Sequence, residues 1–421
     1  MKKIIFVSLI CLLSLGAVFA GGKTDTVQSG PSKVTLWYLW GGAEGEHVEA
    51  MIAKFNASQN RYKVEGLSVP DQQKIQVAIA AGDGPDITDT FSSLTVSYAK
   101  KGILEPLNRY IKRDAYDMTD FMPSAIEGVS VDNEIYALPI SVNLMMLYYN
   151  KDLLAKAAYS NPPSTEAELI KYANALTSLD ASGNMLVQGF PDFPEVYYIE
   201  HMAFALGGNY GKPGALKLND PATRLALQMS SDYRKKYGID KVLAFNSSGG
   251  YMSAADPFIT GRQALRIDGP WFGTHISNTL GLNLNYGVAP IPYASSKPGS
   301  ARSGQVQSST FFIPSNAKNK EGAWAFMSWL VKAEQMAELS VKMGWIPARI
   351  SALDNPVFDS VVNFKAFADQ ARSKNLSTFP AFESQQEFQK IISDMYQAVM
   401  LGNVGIDEAI ANAQKKSDLL K

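Results

Sequence analysis

The side chains able to do chemistry are thinly spread in this sequence. Its three histidines, His47, His201 and His275, stand far apart, and no H-x-x-x-H pair offers two metal ligands on one helix face. No G-x-S-x-G elbow is present to carry a serine nucleophile. The stretch "GGNYGKP" resembles a phosphate loop, but Pro213 follows Gly211-Lys212 where Ser or Thr is needed. His47 sits among Glu44, Glu46 and Glu49. Three carboxylates at the start of a helix are better explained by the favourable field of its N-terminus than by a metal. A pair of acids about 5–10 Å apart would suffice for glycoside hydrolysis, and the sequence alone places no two of its acids together.

What the chain does offer is aromatic rings beside glycine- and proline-rich turns. Trp40 precedes Gly41-Gly42, Tyr197 and Tyr198 follow "PDFPE", Trp271 stands in "DGPWFG", and Trp345 in "MGWIPAR". Sugars present flat C–H faces that stack on indole and phenol rings, and hydroxyls that suit carboxylates, amides and arginine. Any one of these rings could be core. Their grouping at four strand ends or loops points to a ligand site, because ligands in open α/β sheets bind outside the carboxyl ends of the strands. In the first strand, "VTLWYLWGG", the pattern assigns Trp37 to the interior and Trp40 to the lip of a cleft.

The elements positioning these rings alternate. After a polar leader, Thr24 to Ser32, a strand begins at Val34. A helix follows with Val48, Met51, Ile52 and Phe55 at i, i+3, i+4 and i+7. "RYKVEGLSV" alternates as a second strand, and "DQQKIQVAIAAGDGPDI" gives a helix, a turn and a third strand. Asp83 and Asp86 are expected to shape that turn through bonds to backbone. "YALPISVNLMMLYYN" reads as one long extended segment, and Thr165 with Glu168 forms a capping box. "FFIPS" is a strand, and "NKEGAWAFMSWLVKAEQMAEL" reads as a single helix. A final helix has Phe388, Ile391, Ile392, Met395 and Val399 on one face. Strands alternating with helices predict a parallel sheet covered on both faces.

Length bounds the organisation. At 421 residues the chain exceeds one simple core and predicts about two α/β domains. A net charge of −1 gives no basic field for nucleic acid or an anionic membrane. The N-terminus has the pattern of a signal peptide over residues 1–20: Lys2 and Lys3, an apolar run from Ile4 to Leu15, and Val18 and Ala20 at −3 and −1 before Gly21. The apolar run is shorter than the ~20 residues that span hydrocarbon. The single cysteine, Cys11, lies within that run and follows Ile10 where a lipoprotein signal has a small residue, so the mature chain is expected to lack cysteine, disulfide and lipid anchor.

Several segments in fixed order carry a family resemblance: "AAGDGPDI" (80–87), "YAKKGILEPLNRYI" (98–111), "EIYALPISVNLMMLYYNKDLL" (134–154), "NPPSTEAEL", "GRQALRIDGPW" (261–271), "YGVAPIP" (286–292), "NKEGAWAFMSWL" and "GWIPAR" (344–349). Across nearly all of the mature chain they resemble the extracellular solute-binding proteins of ABC transporters, family 1, which include maltose- and other sugar-binding proteins. The resemblance implies a two-lobed periplasmic-binding-protein fold of type II-like α/β architecture with the ligand in the cleft. It implies a free periplasmic monomer that binds a saccharide, hands it to the permease subunits of an ABC importer, needs no cofactor and turns nothing over. Expected boundaries are 33–142 plus 310–346 for the first lobe and 143–309 plus 347–421 for the second, with crossings near 139–143 and at "QVQSS".

Site residues carry over by position. Glu44 falls in the loop after the first strand, where relatives offer a polar sugar contact. Thr90, Ser92 and Ser93 follow "GPDI", where maltose binders carry Trp and Asp, so a different ligand is implied. Asn143 takes a hinge-side position that is acidic in maltose binders. Glu195 and Tyr197 match an acid-x-aromatic pair, and Trp271 matches the stacking Trp of the "GPW" motif. Gly304, Gln305, Trp345 and Arg349 follow from loop position. Glu166 stands where the family pattern "PP-x-TW" has Trp, a structural departure. The plainer readings stay open: Trp271 as a loop brace, Glu195 as a solvated acid, Glu44 as a helix-start charge. So do two other functions: a secreted glycoside hydrolase, and a binder of a non-sugar solute such as a polyol phosphate, a peptide or a metal–anion complex. Arg349 would serve the phosphate, and Glu195 with the neighbouring tyrosines an iron.

Overall fold

A computed structural model describes residues 30–193 and 197–420. The signal-peptide residues, Cys11 and Glu195 lie outside them. The chain opens with β1 (Ser32–Tyr38), α1 (Gly42–Ser58), β2 (Tyr62–Ser68), α2 (Gln72–Ala81) and β3 (Ile87–Phe91). The helices form where the apolar spacing predicts. Val48, Met51, Ile52 and Phe55 are the buried face of α1, and Asp71 caps α2 by accepting from the backbone N–H of Gln73 and Lys74. β1 lies between β2 and β3, parallel to both. Asp86 does more than shape its turn. Its carboxylate accepts from the Thr35 N–H at 2.9 Å and from the Asn319 N–H at 2.7 Å, tying three segments together.

The expected long extended segment is two strands in two different sheets. β4 (Leu138–Leu144) joins the first sheet, and β5 (Met146–Asn150) leaves it for a second. Further along come α3 (Glu166–Leu176) with its Thr165–Glu168 capping box in place, α4 (Tyr197–Ala205), β6 (Leu265–Asp268), α5 (Pro270–Thr274) and β7 (Tyr286–Ala289). β5 is the centre of a three-stranded antiparallel sheet in the order β6-β5-β7. The chain returns through β8 (Gly304–Phe312), and α6 (Lys320–Leu330), α7 (Ala333–Met343), β9 (Ile346–Pro347), β10 (Leu376–Ser377) and α8 (Gln385–Met400) follow. The first sheet has the order β9-β4-β8-β3-β1-β2, with β10 added at the start of β8.

The chain therefore passes between two α/β bodies at β4–β5, returns through the segment entering β8, and crosses a third time between β9 and α8. One core, built around Leu36, Ile87, Phe311, Met327 and Trp345, runs on through Tyr148 to Phe272 and Phe367. A second, with Leu147, Tyr198, Leu265 and Phe388, fills the other side of the three-stranded sheet. The segment read as a single helix is broken: Val331 ends α6, and Lys332 is extended at φ −68°, ψ 151° before α7. The freed Val331 carbonyl accepts from Arg349 Nε at 2.6 Å, which meets the need of a helix C-terminus that has run out of its own donors.

Candidate functional site

The carboxyl ends of the parallel strands β1 and β3 open onto the boundary between the two bodies. There the fold assembles three tryptophans. The alternation of β1 sends Val34, Leu36 and Tyr38 into the main core, and Trp40 continues that side; Trp37 turns to the opposite face, against a smaller cluster with Leu39. Trp40 is half-buried, with its ring centroid 4.8 Å from that of Trp345 and 6.0 Å from that of Phe311. Trp345 is 7 % exposed and supports Trp40 from below. Gly344 precedes it at φ +67°, and a Cβ there would lie 2.9 Å from the Trp271 Cα, so only glycine lets the two segments meet. Trp40 and Trp345 from one body, in ring contact, and Trp271 from the other, whose backbone approaches Gly344, thus form one neighbourhood. Glu44, exposed in the first turn of α1, stands just beyond Trp40, and desolvation by the surrounding protein pushes its carboxyl up.

Trp271 is held in a defined pose. Its benzene ring lies on Gly269, so closely that a Cβ there would sit 2.3–2.4 Å from three ring carbons. Its Nε1 donates to Tyr251 Oη at 2.9 Å, and that hydroxyl donates to Asp268 at 3.1 Å. Asp268 in turn accepts from Arg266 Nε at 2.7 Å. Phe193 packs edge-on to Tyr251 with centroids 5.6 Å apart, and Tyr197 lies 6.4 Å from Phe193 at the start of α4. Tyr197 is also within electrostatic reach of Arg266.

The remaining expected residues fall elsewhere. Ser92 and Ser93 line a cavity of about 720 Å³ between the bodies, together with Gln305, Gln307, Phe379 and Phe382; none of the three tryptophans lines it. Ser92 Oγ accepts from the Ser308 N–H at 3.0 Å, and Ser93 Oγ from Gln307 Nε2 at 2.7 Å, so both hydroxyls brace the crossing strand. Asn143, opposite Gln307 on β4, is half-buried with its Nδ2 3.4 Å from Ser309 Oγ. Gly304 opens β8, paired with Leu376.

Arg349 does not reach either space. It is 6 % exposed; besides Val331, its guanidinium serves Asp120 at 3.4 Å, Tyr116 Oη at 3.0 Å and the Asp117 carbonyl at 3.2 Å, and it lies 4.0 Å over the Phe121 ring. It is a brace within the first body, which corrects its assignment to the ligand. The sequence reading also passed over Glu200 and His201. With Tyr197 they stand at i, i+3 and i+4 on α4, a polar stripe on an otherwise buried helix. Burial pushes the Glu200 carboxyl up to about 7, against a hydrogen bond from Gln305, and brings His201 down to about 4. Near neutrality His201 is therefore uncharged. That polar stripe was the signal available in "YYIEH".

Among the described residues, no group of three or more His, Cys, Asp or Glu side chains is arranged to hold a metal, and no helix is long and apolar enough to cross a membrane.

With this geometry in place, the chain belongs to the bacterial extracellular solute-binding proteins, whose family model matches residues 50–366. It is 26% identical over 354 residues to a binding protein of Brucella abortus, covering 83% of this chain and 82% of that one. It is 25% identical over 344 residues to the maltotriose-binding protein of Pyrococcus abyssi, covering 79% and 70%. Its structure is similar to that of CpMnBP1 with mannotriose bound, at a TM-score of 0.78 and 25% identity, covering 91% of this chain and 99% of the other.

Proposed function

We propose that this protein is the substrate-binding component of an ABC importer. It captures a mono- or oligosaccharide between its two lobes and releases it chemically unchanged to the permease. The observation that carries the reading is the meeting of Trp40 and Trp345 of one lobe with the Trp271 segment of the other at the boundary between them. Stacked rings grip the apolar faces of a sugar, and a site divided between two bodies couples occupancy to closure. The bound sugars named for CpMnBP1 and the Pyrococcus abyssi relative support the same class of ligand. With its signal peptide removed, the protein works as a free periplasmic monomer. A polyol phosphate is the weaker alternative, because Arg349, its one candidate anion ligand, is engaged inside the first lobe.

A thermal-shift and tryptophan-fluorescence screen of mannotriose, maltotriose and sn-glycerol 3-phosphate tests this. At least one neutral saccharide is expected to raise the melting temperature and change the tryptophan emission. A response to the phosphate alone, or to none of the three, would count against it.

A further inference from the structure

Behind Tyr251, beside Trp271, lies a recess of about 80 Å³ walled by Phe193, Asn246, Gln263 and Arg266. Arg266 is 2 % exposed. Its Nε donates to Asp268 at 2.7 Å and its Nη1 to both oxygens of Asp256 at 3.1 and 3.2 Å. Its guanidinium carbon is 4.3 Å from the Phe272 centroid, 4.7 Å from that of Phe193 and 5.1 Å from that of Tyr251. Nη2 is buried and has no hydrogen-bond partner among the described residues. The amide donors around the recess are already spent: Gln188 on Asn246 at 2.9 Å, Asn246 on Asp192 at 2.7 Å, and Gln263 on Gln188 at 2.8 Å. A buried charged donor left unmade is costly, so a site that keeps one is complete only when something supplies the acceptor.

We infer that Arg266 is a ligand contact, its Nη2 donating to a hydroxyl or hydroxymethyl oxygen of the saccharide whose ring stacks on Trp271. The inference rests on the sugar reading above and narrows it to neutral sugars. Asp256 and Asp268 bring two carboxylates to one guanidinium, while Asp192 is matched by Arg234. A carboxylate or phosphate entering the recess would meet a net negative, desolvated cluster; a hydroxyl meets only a donor. The recess exceeds the space of a single water and is too small for a second sugar ring, which fits the exocyclic end of one. Tyr251 links the two contacts, since it walls the recess and fixes the Trp271 indole through its hydroxyl.

The test uses the full mature chain. Calorimetric titration with mannotriose and maltotriose is repeated on Arg266→Lys, which keeps a cation between Asp256 and Asp268 but removes Nη2. A loss of at least tenfold in affinity is expected, and the wild-type protein should bind the uronic-acid counterpart of its preferred sugar at least a hundredfold more weakly. Wild-type affinity in Arg266→Lys, or equal binding of the acid, overturns the inference. Should Arg266→Lys fail to fold, nitrogen-15 NMR of arginine side chains in the wild type decides. Arg266 resonances that move on saturation with the sugar support the contact; resonances that stay put mean the recess holds water only. A protein that binds no saccharide ends both readings, whereas one that binds saccharide with Arg266 silent ends only this one.

Discussion

Trp271→Ala is expected to weaken saccharide binding about a hundredfold while moving the melting temperature by no more than a few degrees. The ring is half-buried, its lower face on Gly269 and its Nε1 spent on Tyr251. Its indole N–H is thus used within the protein, and what it offers a guest is an apolar face. About 100 Å² of apolar surface covered by a sugar is worth about 2.5 kcal/mol, and ring stacking adds about 0.5 kcal/mol or more. Together these amount to about two decades in Kd. Titration calorimetry on the sugar found in the screen measures the loss. Gly269→Ala is the companion variant: it leaves the tryptophan in place but drives a methyl into the ring, so it should weaken binding by tilting the platform. If Trp271→Ala binds normally and melts early, the side chain is a loop brace and the stacking proposal fails.

That Trp271 could be singled out from the sequence has a local cause. A tryptophan between Gly269-Pro270 and Gly273 has few neighbours along the chain to pack on, and Trp40 stands where β1 has run out. Such positions are written in short-range sequence. Arg349 could not be judged that way, because its partners Tyr116, Asp120 and Val331 are distant along the chain and depend on where α6 ends. The break at Lys332 shows in the sequence only as a slip of phase: after Met327, Leu330 and Val331 the rhythm asks for apolar residues at 334 and 335, where Glu334 and Gln335 stand, and it resumes at Met336 and Ala337. Likewise Leu138–Asn150 is extended throughout, and only the pairing partners, β8 on one side and β6 and β7 on the other, split it between two sheets. The polar face of α4 was legible as a pattern, but the desolvation of Glu200 and His201 comes from tertiary packing.

The same kind of long-range burial makes Asp89 the second strong prediction. It sits on β3, 2 % exposed, opposite Phe311 in the register with β8, and its Oδ1 accepts the Leu39 N–H at 2.9 Å. That bond fixes the end of β1 one residue before Trp40. Desolvation raises the carboxyl to about 7, outweighing the backbone hydrogen bonds that pull it down. In the unfolded chain the same group titrates near 3.9. Below about pH 4 both states hold the proton and the group costs nothing. As pH rises toward 7 the unfolded state releases the proton and the native state keeps it, so stability declines through that window, and the full cost is present above it. Asp89→Asn keeps a carbonyl acceptor for Leu39 and removes the charge. It should match the wild type near pH 4 and be more stable by about 3–4 kcal/mol at pH 8.5. Urea unfolding at the two pH values measures this; Glu200→Gln serves as a control, because Glu200 leaves a residual slope of the same sign in Asp89→Asn. Equal destabilisation of Asp89→Asn at both pH values would mean the native carboxylate is charged and well bonded, and that the lip of β1 is held by an ion instead of a neutral acid.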